Sequence, residues 1–149
     1  MDTSEQYIKM CDCPEIQNGH KPEFGDYFRL IDGVVICESG DLSIKYECDY
    51  GSNPIWLPRQ DQLQEMMKYG FKHELDINLA RYFHAWLINK TNQITDASME
   101  QLWLAFYMHE KHGKIWNGEK WVGIHIKGKS IIEGMPFTIN LGGGKKITL

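Results

Sequence analysis

Residues 98–122 read SMEQLWLAFYMHEKHGKIWNGEKWV and contain the two strongest structural signals in the chain. Ser98 and Gln101 form a capping box, in which each residue satisfies an unpaired backbone group of the other at the start of a helix. The run 102–108 is apolar on every side of a helix, and Gly113 is suited to end it. We therefore predict a central, buried helix over about 98–112.

The second half of this stretch predicts a β-hairpin. Asn117-Gly118 can supply the positive φ angles of a two-residue type I′ turn. The aromatic residues on either side are suited to pairing across two antiparallel strands. We expect Trp116 and Trp121 to lie close together.

Around this unit the sequence predicts further helices and short strands. Thr3 with Gln6 indicates a helix start, and Pro14 would stop that helix. Asp32-Gly33 indicates a tight turn between two strands. Helices are expected over about 4–13, from Pro58 to about 69, and over about 76–89. Strands are expected at 27–31, 34–37, 42–48, 55–57, 124–126, 130–132 and 137–141. The predicted fold is α+β, a small antiparallel sheet packed against three or four helices.

The composition indicates one folded domain spanning residues 1–149. A hydrophobic fraction of 42% and a charged fraction of 24% are ordinary for a globular protein of this length. No apolar run approaches the roughly 20 residues that span a bilayer, and the first residues do not form a signal peptide. We therefore expect a cytoplasmic protein with free thiols, no membrane association, and no metal or cofactor.

The charges are unevenly distributed along the chain. Residues 1–50 contain eleven acidic and four basic residues, whereas residues 101–149 contain three acidic and seven basic residues. The basic third could bind an anionic partner, or it could pair with the acidic third inside the fold. Internal pairing is the favoured interpretation.

Three local patterns resemble functional motifs without meeting their requirements. Four cysteines, at positions 11, 13, 37 and 48, could in principle surround a zinc ion, but the gaps within the two pairs are one and ten residues, whereas structural zinc sites usually have about two to four. His109 and His112 are three positions apart instead of the four of a zinc-binding HExxH helix, and the helix dipole alone favours histidine there. The segment 142–146 has glycines and lysines but lacks the other residues of a P-loop. No nucleophile motif is present either, which favours a non-enzymatic protein.

The start of the predicted helix at Pro58 is the candidate ligand site. A helix start offers unpaired amides and a partial positive charge, which suit an anion. Arg59 adds a guanidinium where acidic residues are usual, and Trp56, Gln60 and Gln62 could contribute a stacking surface and neutral donors. The alternative is structural, with Arg59 paired to an acidic residue of the chain and Trp56 in the core.

Three segments, EQYIKMCDCPEIQ (5–17), IWLPRQDQLQEMM (55–67) and residues 98–122, resemble a group of small uncharacterised proteins encoded by bacteriophages and prophages. The resemblance covers about residues 5–122, and the part beyond it, 123–149, would be an extension peculiar to this chain. It implies expression inside a bacterial host cell. It implies no activity and no catalytic residue.

Three functions remain open from the sequence. The favoured one is a phage accessory protein, not an enzyme, that binds a host protein or a small anionic ligand. The second is a small hydrolase or nucleotide-acting enzyme that uses Arg59 with Asp61 or Glu65. The third is a DNA-associated phage protein, although binding of nucleic acid is not favoured. Oligomer formation is left open.

Overall fold

A computed structural model describes residues 1–38, 54–68, 76–90, 96–124, 138–140 and 146–148, and these have an α+β fold, as predicted. The helices are α1 Glu5–Cys11, α2 Pro14–Gln17, α3 Gln60–Lys68, α4 Asp76–Lys90 and α5 Met99–His112. The strands are β1 Tyr27–Leu30, β2 Gly33–Ile36, β3 Ile55–Leu57, β4 Lys114–Trp116, β5 Trp121–Gly123, β6 Thr138–Asn140 and β7 Lys146–Thr148.

Helix α5 lies at the centre of the packing, which confirms the prediction for residues 98–112. Its start is capped by the Ser98 side chain, which accepts a hydrogen bond from the amide of Gln101. Its end is closed by Gly113 in the left-handed conformation, with φ 59°. The helix packs against α1, α3, α4 and β4. Trp103, Leu104 and Phe106 are among its buried side chains.

The residues before α1 are tied to the start of α5 through the Asp2 carboxylate. Its Oδ2 accepts hydrogen bonds from the Ser98 hydroxyl at 2.6 Å and from the Gln101 amide at 2.7 Å. Its Oδ1 accepts one from the Ser4 backbone at 2.8 Å. Burial by itself would raise the pKa of Asp2, but hydrogen bonds from Ser98, Ser4 and Gln101 outweigh it and hold the pKa below its ordinary value.

This lowered pKa predicts an acid-dependent contribution to stability. An aspartate with a depressed pKa in the folded protein stabilises the fold above its unfolded-state pKa, and loses that contribution as the pH falls through the folded-state pKa. We therefore expect Asp2→Asn to destabilise the protein more at pH 7 than at about pH 2, which lies below the usual aspartate pKa, where part of the carboxylate's contribution is already lost. Denaturant unfolding of both proteins at the two pH values measures this. An equal difference at both would contradict it.

Two details of the amino-terminal helices differ from the prediction. The cap of α1 is Ser4, whose side chain accepts a hydrogen bond from the Tyr7 amide, so the predicted Thr3 cap is wrong by one residue. The predicted end at about residue 13 is also too late, because α1 ends at Cys11. Pro14 begins the short helix α2, in which its fixed φ and missing amide hydrogen suit the first position.

Strands β2, β1 and β3 form an antiparallel sheet in that order. The β1–β2 hairpin confirms the predicted pair of strands, but Leu30 pairs with Gly33 in its register. The turn residues are therefore Ile31 and Asp32, one position earlier than the predicted Asp32-Gly33. On the other side of β1, Phe28 pairs with Trp56 of β3, and both are buried.

Strands β4 and β5 form the predicted hairpin after α5, with Trp116 paired to Trp121 and their ring centroids 5.1 Å apart. The predicted two-residue type I′ turn is wrong. Four residues, 117–120, connect the strands, and only Gly118 among them has a positive φ. The Asn117 side chain accepts hydrogen bonds from the amides of Glu119 and Lys120, so Asn117 initiates the loop and does not adopt a left-handed conformation.

Strands β6 and β7 pair with each other, and β6 matches the strand predicted at 137–141. The strands predicted at 42–48 and 130–132, most of that at 124–126, and Cys48 lie outside the described residues. No helix in the described part of the chain is long and apolar enough to cross a membrane.

Candidate functional site

The start of α3 differs from the prediction. The helix begins at Gln60, and Pro58 lies before it, because the Arg59 carbonyl accepts the first helical hydrogen bond, from the Leu63 amide. The Arg59 amide donates to Oε1 of Gln62 at 2.9 Å, so Gln62 reaches back to satisfy the helix start. The Pro58 carbonyl accepts a hydrogen bond from the buried Tyr7 hydroxyl, which holds it against α1.

Beside this helix start lies a fully buried carboxylate, Asp26. Its Oδ2 accepts hydrogen bonds from Nε2 of His20 at 2.9 Å and from the Glu23 amide at 2.8 Å. Its Oδ1 accepts one from Nε2 of Gln62 at 2.5 Å, and Nη1 of Arg59 lies 3.8 Å from the same oxygen. The charge of Asp26 is therefore met by donors on both oxygens, as a buried carboxylate requires.

The Arg59 guanidinium contacts the Gly25 carbonyl and Asp26 along one edge, which we call inner, and an exposed carboxylate along the other, outer edge. Nη1 donates to the Gly25 carbonyl at 2.6 Å and faces Asp26. On the outer edge, Nε and Nη2 donate to the Asp61 carboxylate at 3.2 and 3.3 Å. The Asp61 side chain is 70% exposed, whereas that of Arg59 is 33% exposed. The ion pair between Arg59 and Asp61 is thus the one whose hydrogen bonds water can replace.

Trp56 packs next to Asp26 and Arg59 through its contact with His20. The indole is buried, and the His20 imidazole stacks on it with centroids 3.4 Å apart and the rings within 4° of parallel. Gln17 fixes the backbone of Trp56 from the other side, since its amide group bonds both the nitrogen and the carbonyl of that residue. An ionised Asp26 only accepts hydrogen bonds, so a neutral His20 carries its proton on Nε2. Its Nδ1 then keeps a lone pair.

We call His20, Asp26, Trp56, Arg59 and Gln62 the Asp26 cluster. Three of the four residues predicted to bind a ligand belong to it. Gln60, the fourth, is the first residue of α3 and donates no hydrogen bond to the cluster within the described part of the chain. Sequence reasoning missed the other two members, His20 and Asp26, which lie in the loop 18–26 between α2 and β1.

The cysteines and histidines that partly match metal-binding motifs do not belong to the Asp26 cluster. Burial raises the pKa of Cys13 to about 11 and that of Cys11 well above its ordinary value, so both are neutral thiols at neutral pH. Among the described residues, no group of three or more His, Cys, Asp or Glu side chains is placed to hold a metal ion. His109 is buried and contacts the Glu110 carboxylate at 2.6 Å. Burial lowers the pKa of His112.

Comparisons of the chain with protein-family models, with curated proteins and with solved structures found no match. The candidate site is therefore defined by its own contacts. It combines a buried carboxylate, a guanidinium anchored along one edge, and an imidazole with one nitrogen outside the hydrogen bond to Asp26.

Proposed function

We propose that the chain is an accessory protein of phage or prophage origin that binds a small anionic ligand, a phosphate or carboxylate, at Arg59. The resemblance of residues 5–122 supports the origin. The observation that carries the binding is the geometry of the guanidinium, whose inner edge is anchored and whose outer edge is covered only by the exposed carboxylate of Asp61 among the described residues.

An anchored guanidinium loses little freedom when a ligand binds, and its planar fork matches two oxygens of a phosphate or carboxylate. The competing contact to Asp61 is weak, because exposed ion pairs contribute about 0–1 kcal/mol. The first amides of α3 add partial positive charge at the same end. The negative charge of Asp26 opposes these attractions, so we expect a dissociation constant of about 1 mM, which corresponds to about −4 kcal/mol.

Arg59→Gln is expected to abolish stabilisation by inorganic phosphate. A ligand at about ten times its dissociation constant stabilises the folded state by about 1.4 kcal/mol. The measurement is the free energy of unfolding in phosphate and in sodium chloride at equal ionic strength. Arg29→Gln is the matched control, since Arg29 is 34% exposed and also pairs with an exposed carboxylate, that of Glu5.

Asp61→Asn should strengthen the response to phosphate, because it removes the carboxylate that competes for the outer edge. Equal stabilisation of all four proteins would show a general salt effect and contradict the proposal. A loss of stability in Arg59→Gln, with the phosphate response unchanged, would show that Arg59 serves only the fold.

A small hydrolase is the second candidate, and the His20–Asp26 hydrogen bond favours it. A carboxylate that holds one imidazole nitrogen leaves the other as a proton acceptor, as in general-base catalysis. Here His20 would take a proton from the water that attacks a phosphate ester. Hydrolysis of para-nitrophenyl phosphate that disappears in His20→Gln, with phosphate binding retained, would favour this enzyme over a simple binding protein.

A further inference from the structure

The exposed residues between positions 23 and 38 are all either apolar and large or acidic. Phe24 is 81% exposed, the highest value among the large hydrophobic residues described, and Ile31 and Ile36 are 63% and 52% exposed. Arg29, the basic residue of this range, is half-buried and lies 3.8 Å from Glu5. The exposed set, which we call the hairpin surface, is Glu23, Phe24, Ile31, Asp32, Ile36 and Glu38.

The members of the hairpin surface lie at the two ends of the β1–β2 hairpin. At its open end, the Gly25 amide donates to the Cys37 carbonyl at 2.8 Å, and the Cys37 amide donates to the Asp26 carbonyl at 2.7 Å. These bonds place Phe24 and the end of β2 on the same end of the hairpin. Ile31 and Asp32 form the turn at the other end, about four strand residues or roughly 13 Å away.

The acidic residues restrict what this surface can bind. Nucleic acids and anionic membranes would be repelled by Glu23, Asp32 and Glu38. In a symmetric contact with a second copy, the same surface meets itself, so the six carboxylates of the two copies would be brought into one interface and repel one another. A segment with basic and apolar side chains would instead pair with the acids and cover the isoleucines and the phenylalanine.

We propose that the hairpin surface is a docking site for a basic protein segment that carries apolar side chains. The segment lies along the hairpin, with its apolar side chains on Phe24 and Ile36 and its basic side chains beside Glu23 and Glu38. The docking site adjoins the Asp26 cluster through the backbone of Glu23 and Gly25, but no side chain of the hairpin surface is needed for the anion binding proposed above.

The test uses a fluorescent synthetic peptide of alternating lysine and valine, with a glutamate–valine peptide as its counterpart. Anisotropy is measured with the wild-type chain and its variants. We expect Phe24→Ser to weaken lysine–valine binding about tenfold or more, the effect of losing one buried phenylalanine contact. Ile88→Ser, at a position 60% exposed on α4, is the matched control and should leave binding unchanged.

Charge reversal separates a local site from general attraction to an acidic protein. The triple variant Glu23→Lys with Asp32→Lys and Glu38→Lys should weaken binding about tenfold, given the usual contribution of exposed ion pairs. A second variant, Asp12→Lys with Glu65→Lys and Glu119→Lys, has the same change in net charge at exposed positions elsewhere. It should change binding by less than about threefold.

Each other outcome overturns the proposal. Equal weakening by both charge variants would mean that net charge alone attracts the peptide. Equal binding of the glutamate–valine peptide would remove the role of the acids. Dimerisation of the wild-type chain that Phe24→Ser abolishes would make a second copy the occupant. Circular dichroism checks that the variants remain folded, which is expected because the substituted side chains are exposed.

Discussion

Phe106→Ala is expected to lower the free energy of unfolding by about 3–5 kcal/mol. Phe106 is 2% exposed and lies among three other rings of α4 and α5. Its ring centroid is 5.5 Å from those of Phe83 and Trp86 and 5.9 Å from that of Trp103. Truncation removes the contacts of one ring and leaves a cavity, because the three remaining rings, packed at several angles, cannot close around it.

Leu102→Ala is the control for this prediction. The sequence pattern places Leu102 in the same apolar run, and truncation of either residue would be expected to cost about 2–5 kcal/mol if the helix were covered on every side. In the structure Leu102 is only partly buried, so its truncation should cost clearly less than that of Phe106. The measurement is the denaturant midpoint at an unchanged slope. Equally small losses in both variants would mean that α5 is not central.

Helix α5 was predictable because its signals are local. Its capping side chain, its apolar run and its terminal glycine lie within sixteen residues of one another, from Ser98 to Gly113. Which of its apolar side chains are fully buried was not predictable. The partial burial of Leu102 depends on which other elements pack against that side of the helix. A local pattern reports what a helix can bury, and the tertiary packing determines what it does bury.

The contacts of the Asp26 cluster, in contrast to those of α5, were not predictable from local sequence signals. Arg59 stood out because a guanidinium at a helix start is unusual, but its principal contacts are the Gly25 carbonyl and Asp26, more than thirty positions away. The intervening chain contains no periodic signal that fixes this approach. The charge of Arg59 indicates that a buried aspartate could be its partner, but only the folded structure shows which aspartate it is.

The turn after Trp116 was missed for a different reason. The Asn117 side chain accepts hydrogen bonds from two amides within its own loop, and the pattern Asn117-Gly118 does not reveal this.

Asp26→Ala is expected to destabilise the protein by about 3–5 kcal/mol, the usual cost of removing one partner from a buried ionic network. The substitution leaves the Gln62 amide, the His20 imidazole and the Glu23 backbone without their shared acceptor. Each orphaned donor in a buried site costs about 1–3 kcal/mol when water cannot reach it. Arg59 keeps its contacts to the Gly25 carbonyl and to Asp61, so the part of the destabilisation that comes from Arg59 is smaller.

Asp61→Ala is the matched control, because it removes a carboxylate from the same guanidinium at an exposed position. It should change the free energy of unfolding by less than about 0.5 kcal/mol. The double variant Asp26→Ala with Gln62→Ala should cost less than the sum of the two single changes, since one substitution already breaks the bond between them. Denaturant unfolding of the wild-type chain, the single variants and the double variant measures these changes in the free energy of unfolding. If Asp26→Ala costs no more than Asp61→Ala, then Asp26 does not hold the loop 18–26 against α3. The inner edge of Arg59 would in that case be anchored by its hydrogen bond to the Gly25 carbonyl, without a contribution from Asp26.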